Sequence, residues 1–321
     1  MSPSTRNFPP YELLEELTID DATRKTKRLE RLYDLTREHA WDGRAVYAEL
    51  VAAHGPPGSC VEPKLRAPLS RVLSVLLWGE LAAWNISADL ALEIPEVDAK
   101  MAATAQVFDE ARHFTVLREY VRALGPSQKI GGFPQRLLRK VVAAPTLATR
   151  LVGMQLLFET NAVVIFRGLG ERGVCPVLSG LMPYFERDES RHVGLGVLYL
   201  PKLIARMSRS EARSTARFHA ECILLLMASG FTFREDFEAL GLEQRLMADR
   251  VTRMQDDVIG QMIAQHGDGV LRAVMNPRRG IGPQVLDFIH PPGGLGAAKP
   301  WHQRMHRGVT RTLGRLDRAL A

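Results

Sequence analysis

The five-residue pattern Asp-Glu-x-Arg-His occurs twice, as "DEARH" starting at Asp109 and "DESRH" starting at Asp188. No other feature constrains the fold as much, because the repeat does not stand alone. Thirty residues before each motif glutamate lies a single glutamate in an apolar stretch: Glu80 in "LLWGELAAW" and Glu159 in "QLLFETNAVVIF". Glu80 and Glu159 are 79 residues apart, and so are Glu110 and Glu189. One helix hairpin is therefore written twice: an isolated glutamate, a turn, then Glu-x-x-His. Folding each hairpin at its midpoint puts the breaks near residues 95 and 174, where Pro95 and the run Gly173 to Pro176 stand. Each glutamate then lies about 20 Å along its helix from the turn, at 1.5 Å per residue. Antiparallel neighbours bring Glu80 level with Glu110, and Glu159 level with Glu189.

Residues three apart share one helix face, so each motif glutamate and its histidine point the same way. Two hairpins packed face to face converge Glu80, Glu110, His113, Glu159, Glu189 and His192 on one interior point. A lone ionised carboxylate in an apolar core is costly unless it is paired or binds a metal. One glutamate from each of two helices, with Glu-x-x-His from each of the other two, is the ligand set of the ferritin-like di-iron and di-manganese carboxylate sites. The residue types suit the task, since hard carboxylate oxygens bridge and neutralise divalent cations and imidazole suits iron. A single Glu-x-x-His is weak evidence, often no more than a surface pair. Six residues with two matched spacings are specific. The expected cofactor is a pair of metal ions, two irons in the first place.

The rest of the chain reads as helices separated by breaks. They span about Asp21–Ala53, Arg66–Leu92, a segment ending at Leu124, Thr146–Leu169, Val177–Leu203, 209–228 and 242–265, with a terminal helix in "KPWHQRMHRGVTRTLGRLDRAL". "GGFP" at 131–134 and the Pro/Gly-rich stretch from Asn276 read as irregular, and the first 20 residues as an arm. No alternating strand pattern of useful length appears. The expected fold is all-α, a ferritin-like four-helix bundle with additional N- and C-terminal helices. Residues 1–275 are expected to form a single di-metal domain, with the metal-binding bundle at about 66–205 and a basic tail at 276–321.

At 321 residues with 46% hydrophobic content, the chain can bury a large core without disulfide staples. Its three cysteines, Cys60, Cys175 and Cys222, are scattered and odd in number, which argues against a disulfide framework. No apolar run reaches ~18 residues and no signal sequence is evident, so a cytoplasmic location is expected. The net charge of +6 resides in the tail, where eight Lys/Arg face Asp287 and Asp317. The body is neutral, which excludes it as a nucleic-acid binder. The tail reads either as a solvated basic face or as a patch for an anionic partner.

"MAATAQVFDEARHFTVLREYVRALG", "RDESRHVGLGVLYL" and "WGELAAWNISADL" resemble the metal-binding helices of the ribonucleotide-reductase small-subunit-like proteins, and most closely the R2-like ligand-binding oxidases. The resemblance covers roughly residues 66–205. It implies that the six residues above are the metal ligands. It also implies an O₂-activating oxidase or monooxygenase with two iron ions, or one manganese and one iron, an electron donor and a homodimeric assembly. The apolar residues flanking the ligands point to a largely apolar substrate. Asp109 and Asp188 resemble the aspartates that accept a hydrogen bond from the second N–H of a ligand histidine of the opposite hairpin and so fix its tautomer. The alternative for them is a surface aspartate paired with Arg112 or Arg191. Departures from the resemblance matter too. Leu117 stands where reductase subunits keep a radical tyrosine, and Met154 where the ligand-binding oxidases keep a crosslinking one. Phe185 stands where the arylamine N-oxygenases carry an extra histidine. An acyl-carrier-protein-desaturase-like enzyme and a non-catalytic metal-storage or sensing bundle are the alternatives.

Residues sharing a face with the ligands are mostly apolar. Ala83, Gln106, Gln155, Ala162, Phe185 and Gly196 are the expected substrate pocket, with Gln106 or Gln155 as polar anchor. Tyr120 reads as a rim residue and Trp84 as core. His219, His266, His290, His302 and His306 read as surface or tail residues.

Overall fold

The computed structural model describes residues 26–267, residue 274 and residues 282–321. The expected arm at 1–20 and residues 276–281 of the tail lie outside the described residues. Every regular element among the described residues is helical.

Two helices, α1 (Thr26–Glu38) and α2 (Gly43–His54), and a single turn, α3 (Pro57–Cys60), lead into the bundle. The sequence suggested one helix over 21–53. The chain breaks instead before Asp42, whose carboxylate leaves the helix and caps α2 by accepting from the N–H groups of Arg44 and Ala45. The first hairpin is α4 (Pro63–Glu93) and α5 (Val97–Leu124). Pro63 opens α4 at a position that needs no N–H, and Pro95 follows its end. A short helix, α6 (Gly132–Val142), follows. The third bundle helix begins as α7 (Leu147–Leu151), passes through a π-helical segment (Val152–Phe158) and continues as α8 (Glu159–Arg172). It ends on Gly173 in the left-handed region (φ 65°), a conformation costly for any residue with a Cβ. Pro176 opens the fourth bundle helix, α9 (Pro176–Ala205). Outer helices follow: α10 (Arg209–Thr232), α11 (Arg234–Ala239), α12 (Gln244–His266), α13 (Gly282–Ile289) and α14 (Pro300–Leu320).

The apolar core is in two parts. One holds Ile86 and Leu90 of α4, Ala99 and Ala103 of α5, Leu151 and Leu157 before α8, and Leu195 and Leu200 of α9. The other holds Leu69 and Leu73, Val116 and Val121, Phe166 and Leu169, and Leu178 and Leu181 from the same four helices. Between the two parts, every helix carries a buried glutamate: Glu80, Glu110, Glu159 or Glu189. A polar layer thus crosses the bundle at mid-length. α5 ends in the second part, whereas α7 begins in the first, so the connection through α6 runs back along the bundle. Two antiparallel hairpins joined by one long crossover give the ferritin-like topology.

Several local expectations are corrected. Residues 132–142 are helical, and Phe133, Leu137 and Val141 bury one face at a spacing of four that the Gly-Pro punctuation masked. Residues 282–289 are helical within the stretch read as irregular. Tyr120 is fully buried rather than at a rim. His219 and His306 are buried, with ring nitrogens 3.2 Å from the Val274 carbonyl and 2.9 Å from the Ile289 carbonyl. Trp84 is half-buried beside Phe114.

The cysteines also differ from expectation. Cys60 of α3 is bonded to Cys175, the residue that precedes α9, with Cα atoms 5.7 Å apart. Sequence spacing could not reveal this pair, because its halves are brought together by the packing of α3 on the bundle. Cys222 is free and buried, and burial pushes its thiol up to about 12. Alkylation of the denatured, non-reduced chain should therefore mark Cys222 alone, and mass spectrometry showing Cys60 or Cys175 modified would contradict the pairing.

Candidate metal centre

The six residues singled out by spacing meet in the polar layer. Glu80, Glu110, His113, Glu159, Glu189 and His192 are each at most 5% exposed. They form two sets whose donor atoms all lie within 4.8 Å of one another: Glu80, Glu110, His113 and Glu189, and Glu110, Glu159, Glu189 and His192. Glu110 and Glu189 belong to both. Each histidine turns Nδ1 into this cluster. His113 Nδ1 is 3.1 Å from Glu189 and 3.5 Å from Glu80. His192 Nδ1 is 2.7 Å from Glu189 and 3.1 Å from Glu110.

The other ring nitrogens cross to the opposite hairpin. His113 Nε2 is 3.2 Å from Asp188 Oδ2, and His192 Nε2 is 3.3 Å from Asp109 Oδ2. With Nε2–H donating to the aspartate, each ring keeps its Nδ1 lone pair for the cluster. The aspartates are fully buried and also paired with both arginines. Arg112 donates to Asp109 and, at 2.8 Å, to Asp188. Arg191 donates to Asp188 at 2.6 Å and to Asp109 at 3.2 Å. The two readings of these aspartates, histidine partner or arginine partner, therefore hold together, except that the arginine pairs are interior.

Trp41 completes the shell, its Nε1–H donating to Asp188 at 2.7 Å. Its indole also lies against the Arg112 guanidinium, 4.9 Å from the ring centre. Sequence reasoning missed it. Trp41 stands 147 residues before Asp188, and only the docking of the α1–α2 segment on α5 and α9 brings the two together. Thr36 supports Arg191 from the same segment.

Protonation equilibria reflect the crowding. Burial and the neighbouring carboxylates raise Glu80 to about 8 and hold Glu159 well above the ordinary carboxylate range. Burial also opposes ionisation of Glu189 and Asp188. The two imidazoles outweigh it for Glu189, and His113, Arg191 and Trp41 do so for Asp188, leaving both low. Burial opposes charging the histidines, yet the carboxylates around them raise both. Without a cation, the cluster is balanced by protons. A metal would displace them. Two buried atoms aimed at the cluster, Glu110 Oε2 and His113 Nδ1, satisfy no hydrogen bond. Unused donor atoms of these types in a buried, acidic cluster fit divalent cations.

The π-helical segment precedes Glu159 directly. An extra residue in a helical turn leaves carbonyls misaligned. Here Thr160 Oγ1 and Gln255 Nε2 both donate to the Leu156 carbonyl, so α12 reaches in to support the distortion. Gln155, within the segment, donates to Gln106 at 3.1 Å, and Gln106 donates to Glu159 at 2.9 Å and Glu110 at 3.2 Å.

A cavity of about 920 Å³ opens from the cluster, with Glu80, Glu110, Glu159 and Glu189 at its inner end. Leu76 and Ala83 of α4, Leu157, Ala162 and Ile165, and Ile223, Met227 and Met247 of the outer helices wall it. Gln244, Arg245, Asp249 and His290 add polar groups further out. Burial and nearby Arg234 hold His290 neutral, down to about 4. Leu224 lines the cavity and is 64% exposed, so the cavity reaches the surface between α10 and α12.

Of the expected pocket residues, Ala83 and Ala162 line this cavity, and Gln106, Gln155, Phe185 and Gly196 do not. The two glutamines are buried in the hydrogen-bond chain above. Phe185 stacks on His113, ring centres 4.4 Å apart. At Gly196 a Cβ would fall 2.6 Å from that of Gln155, so its missing side chain makes room for the glutamine. Facing a ligand along the helix is not the same as facing the cavity, which opens on one side only. The walls given by α10 and α12 carry no spacing signal.

No protein-family model and no curated protein matches the chain. Among solved structures, a mutant R2-like ligand-binding oxidase with an aerobically reconstituted Mn/Fe cofactor is similar over 94% of this chain and 95% of that one, at TM-score 0.48 and 14% identity. A likeness this distant says nothing of activity.

Proposed function

We propose that this chain is an O₂-activating oxidoreductase with a dinuclear iron, or manganese/iron, centre, acting on a largely apolar substrate. The observation that carries this reading is the pair of four-residue donor sets sharing Glu110 and Glu189, opening into an apolar cavity. Glu80, Glu110, His113 and Glu189 would hold one ion. Glu159, His192 and the same shared glutamates would hold the other. When bound, such a centre supplies reduction of dioxygen and an oxidant strong enough for a C–H or N–H bond.

The chain's own contribution is positioning and exclusion of water. Asp188 and Asp109 keep the Nε2 protons on the two histidines, and those imidazoles, with Arg191 beside Asp188 and Arg112 beside Asp109, hold the aspartates ionised. Gln106 orients one oxygen each of Glu110 and Glu159. The cavity walls are apolar and wide enough to admit an acyl chain or aromatic ring, which on binding would displace water from beside the carboxylates. An external electron donor is needed for turnover.

A storage or sensing role predicts a polar path for ions. The wide apolar cavity favours an organic substrate instead. Protein loaded with Fe(II) without oxygen should consume O₂ much faster on mixing than a Glu110→Ala sample carrying the same total iron. Equal rates would overturn the proposal, and product analysis with acyl substrates would separate desaturation from oxygen insertion.

A further inference from the structure

The outer surface of α14 is unlike the rest of the molecule. Arg304, Arg307, Arg311, Arg315 and Arg318 are spaced by three or four residues, so they form one stripe ~21 Å long. All five are exposed, and none forms an ion pair among the described residues. The only acid on the helix, Asp317, is turned inward. It is 8% exposed and accepts from the Phe133 N–H at 2.7 Å, capping α6. α6, packed alongside, adds exposed Arg136 and Arg139 and contains no acid.

Beside the stripe runs a second one. Trp301, Met305 and Leu316 lie within ~60° of one another around the helix axis, between the arginines and the buried face. They are 54%, 45% and 48% exposed. His302 Nε2 meets the Phe288 carbonyl at 2.8 Å and His306 Nε2 meets that of Ile289 at 2.9 Å. α14 is thereby tied to α13, whose Leu286 and Ile289 wall the cavity.

We propose that α14 docks this protein on an anionic phospholipid surface, its arginines against lipid phosphates and Trp301, Met305 and Leu316 in the interfacial layer. The charge is complementary, and lipid accounts for both stripes. A nucleic acid or an acidic protein would use the arginines and leave the exposed tryptophan, methionine and leucine without a role. An interfacial helix is recognised by cationic and large apolar side chains adjoining on its exposed surface. No helix of the described residues is long and apolar enough to cross a membrane. α13, which α14 braces, also walls the cavity, so docking would set the cavity close to the bilayer that supplies an apolar substrate. The docking surface itself does not depend on the metal centre.

The test uses the full chain, without added metal, and vesicles of phosphatidylcholine with or without 30% phosphatidylglycerol, in sedimentation at about 0.1 M salt. Binding should be at least tenfold stronger on the anionic vesicles. Each basic side chain near such a surface contributes about fivefold, so Arg304→Gln, Arg307→Gln and Arg311→Gln together should weaken it about a hundredfold. Tryptophan emission should shift to the blue on binding in the wild type, and not in Trp301→Phe. The arginines are exposed, so unchanged helicity and melting temperature are expected for the triple variant. Absence of charge-dependent binding, a triple variant that binds as wild type, or an unshifted Trp301 would overturn the proposal. Tighter binding of duplex DNA or polyglutamate than of anionic vesicles at the same salt would overturn it as well.

Discussion

Replacing Asp188 with alanine is expected to cost about 3–5 kcal/mol of folding stability and to lower metal affinity about 10- to 100-fold. The aspartate accepts from Arg112, Arg191, Trp41 and His113 at once, and it is fully buried. Its loss leaves two interior guanidinium groups sharing Asp109 alone. His113 also loses the acceptor that keeps its proton on Nε2, so its Nδ1 is no longer reserved for the cluster. Urea denaturation of the metal-free protein reads the first effect, and titration with Fe(II) the second. Asp188→Asn should be milder for stability, because its amide oxygen still accepts. An Asp188→Ala protein within about 1 kcal/mol of wild type would mean the arginines have other partners.

Ala162→Phe should abolish substrate oxidation, by at least about a hundredfold in kcat/KM, while metal content stays at the wild-type value. A hundredfold is about 2.7 kcal/mol of transition-state stabilisation. Ala162 is three residues from Glu159 and lines the cavity beside the carboxylates. A phenyl ring there fills the space a reacting carbon must enter. The side chain is only partly buried and faces open volume, so a stability change below about 1 kcal/mol is expected. The assay takes the best substrate from a panel of acyl and aromatic compounds, with metal analysis on the same sample. Normal turnover would mean that the substrate reaches the centre by another route.

Different parts of this molecule were legible in the sequence for different reasons. The six clustered residues were readable because a hairpin written twice leaves identical spacings, and because isolated glutamates in apolar helices need a purpose. The bundle helices were readable to within a few residues, since Pro95, Gly173 and Pro176 mark the turns between them. Trp41, Thr36 and Gln255 were not readable, since each acts through a contact nearly a hundred or more residues away. The same holds for the Cys60–Cys175 bond. The cavity was half legible. Helical spacing identifies which residues flank a ligand, as it did for Ala83 and Ala162. It cannot say on which side the surrounding helices leave a gap, and Gln106, Gln155, Phe185 and Gly196 lie outside this cavity for that reason. The π-helical segment carries no propensity signal in "VGMQLLF" and is set by its packing against α9 and α12.

The most direct test is metal stoichiometry. Metal-free protein is titrated with Fe(II) under anaerobic conditions, desalted and analysed for iron, with helicity checked by circular dichroism. The wild type should retain ~2 ions per chain. Glu110→Ala and Glu189→Ala, which each remove a residue common to both donor sets, should retain one or none. A well-folded wild type that retains essentially no iron, or alanine variants that retain two, would contradict the dinuclear centre.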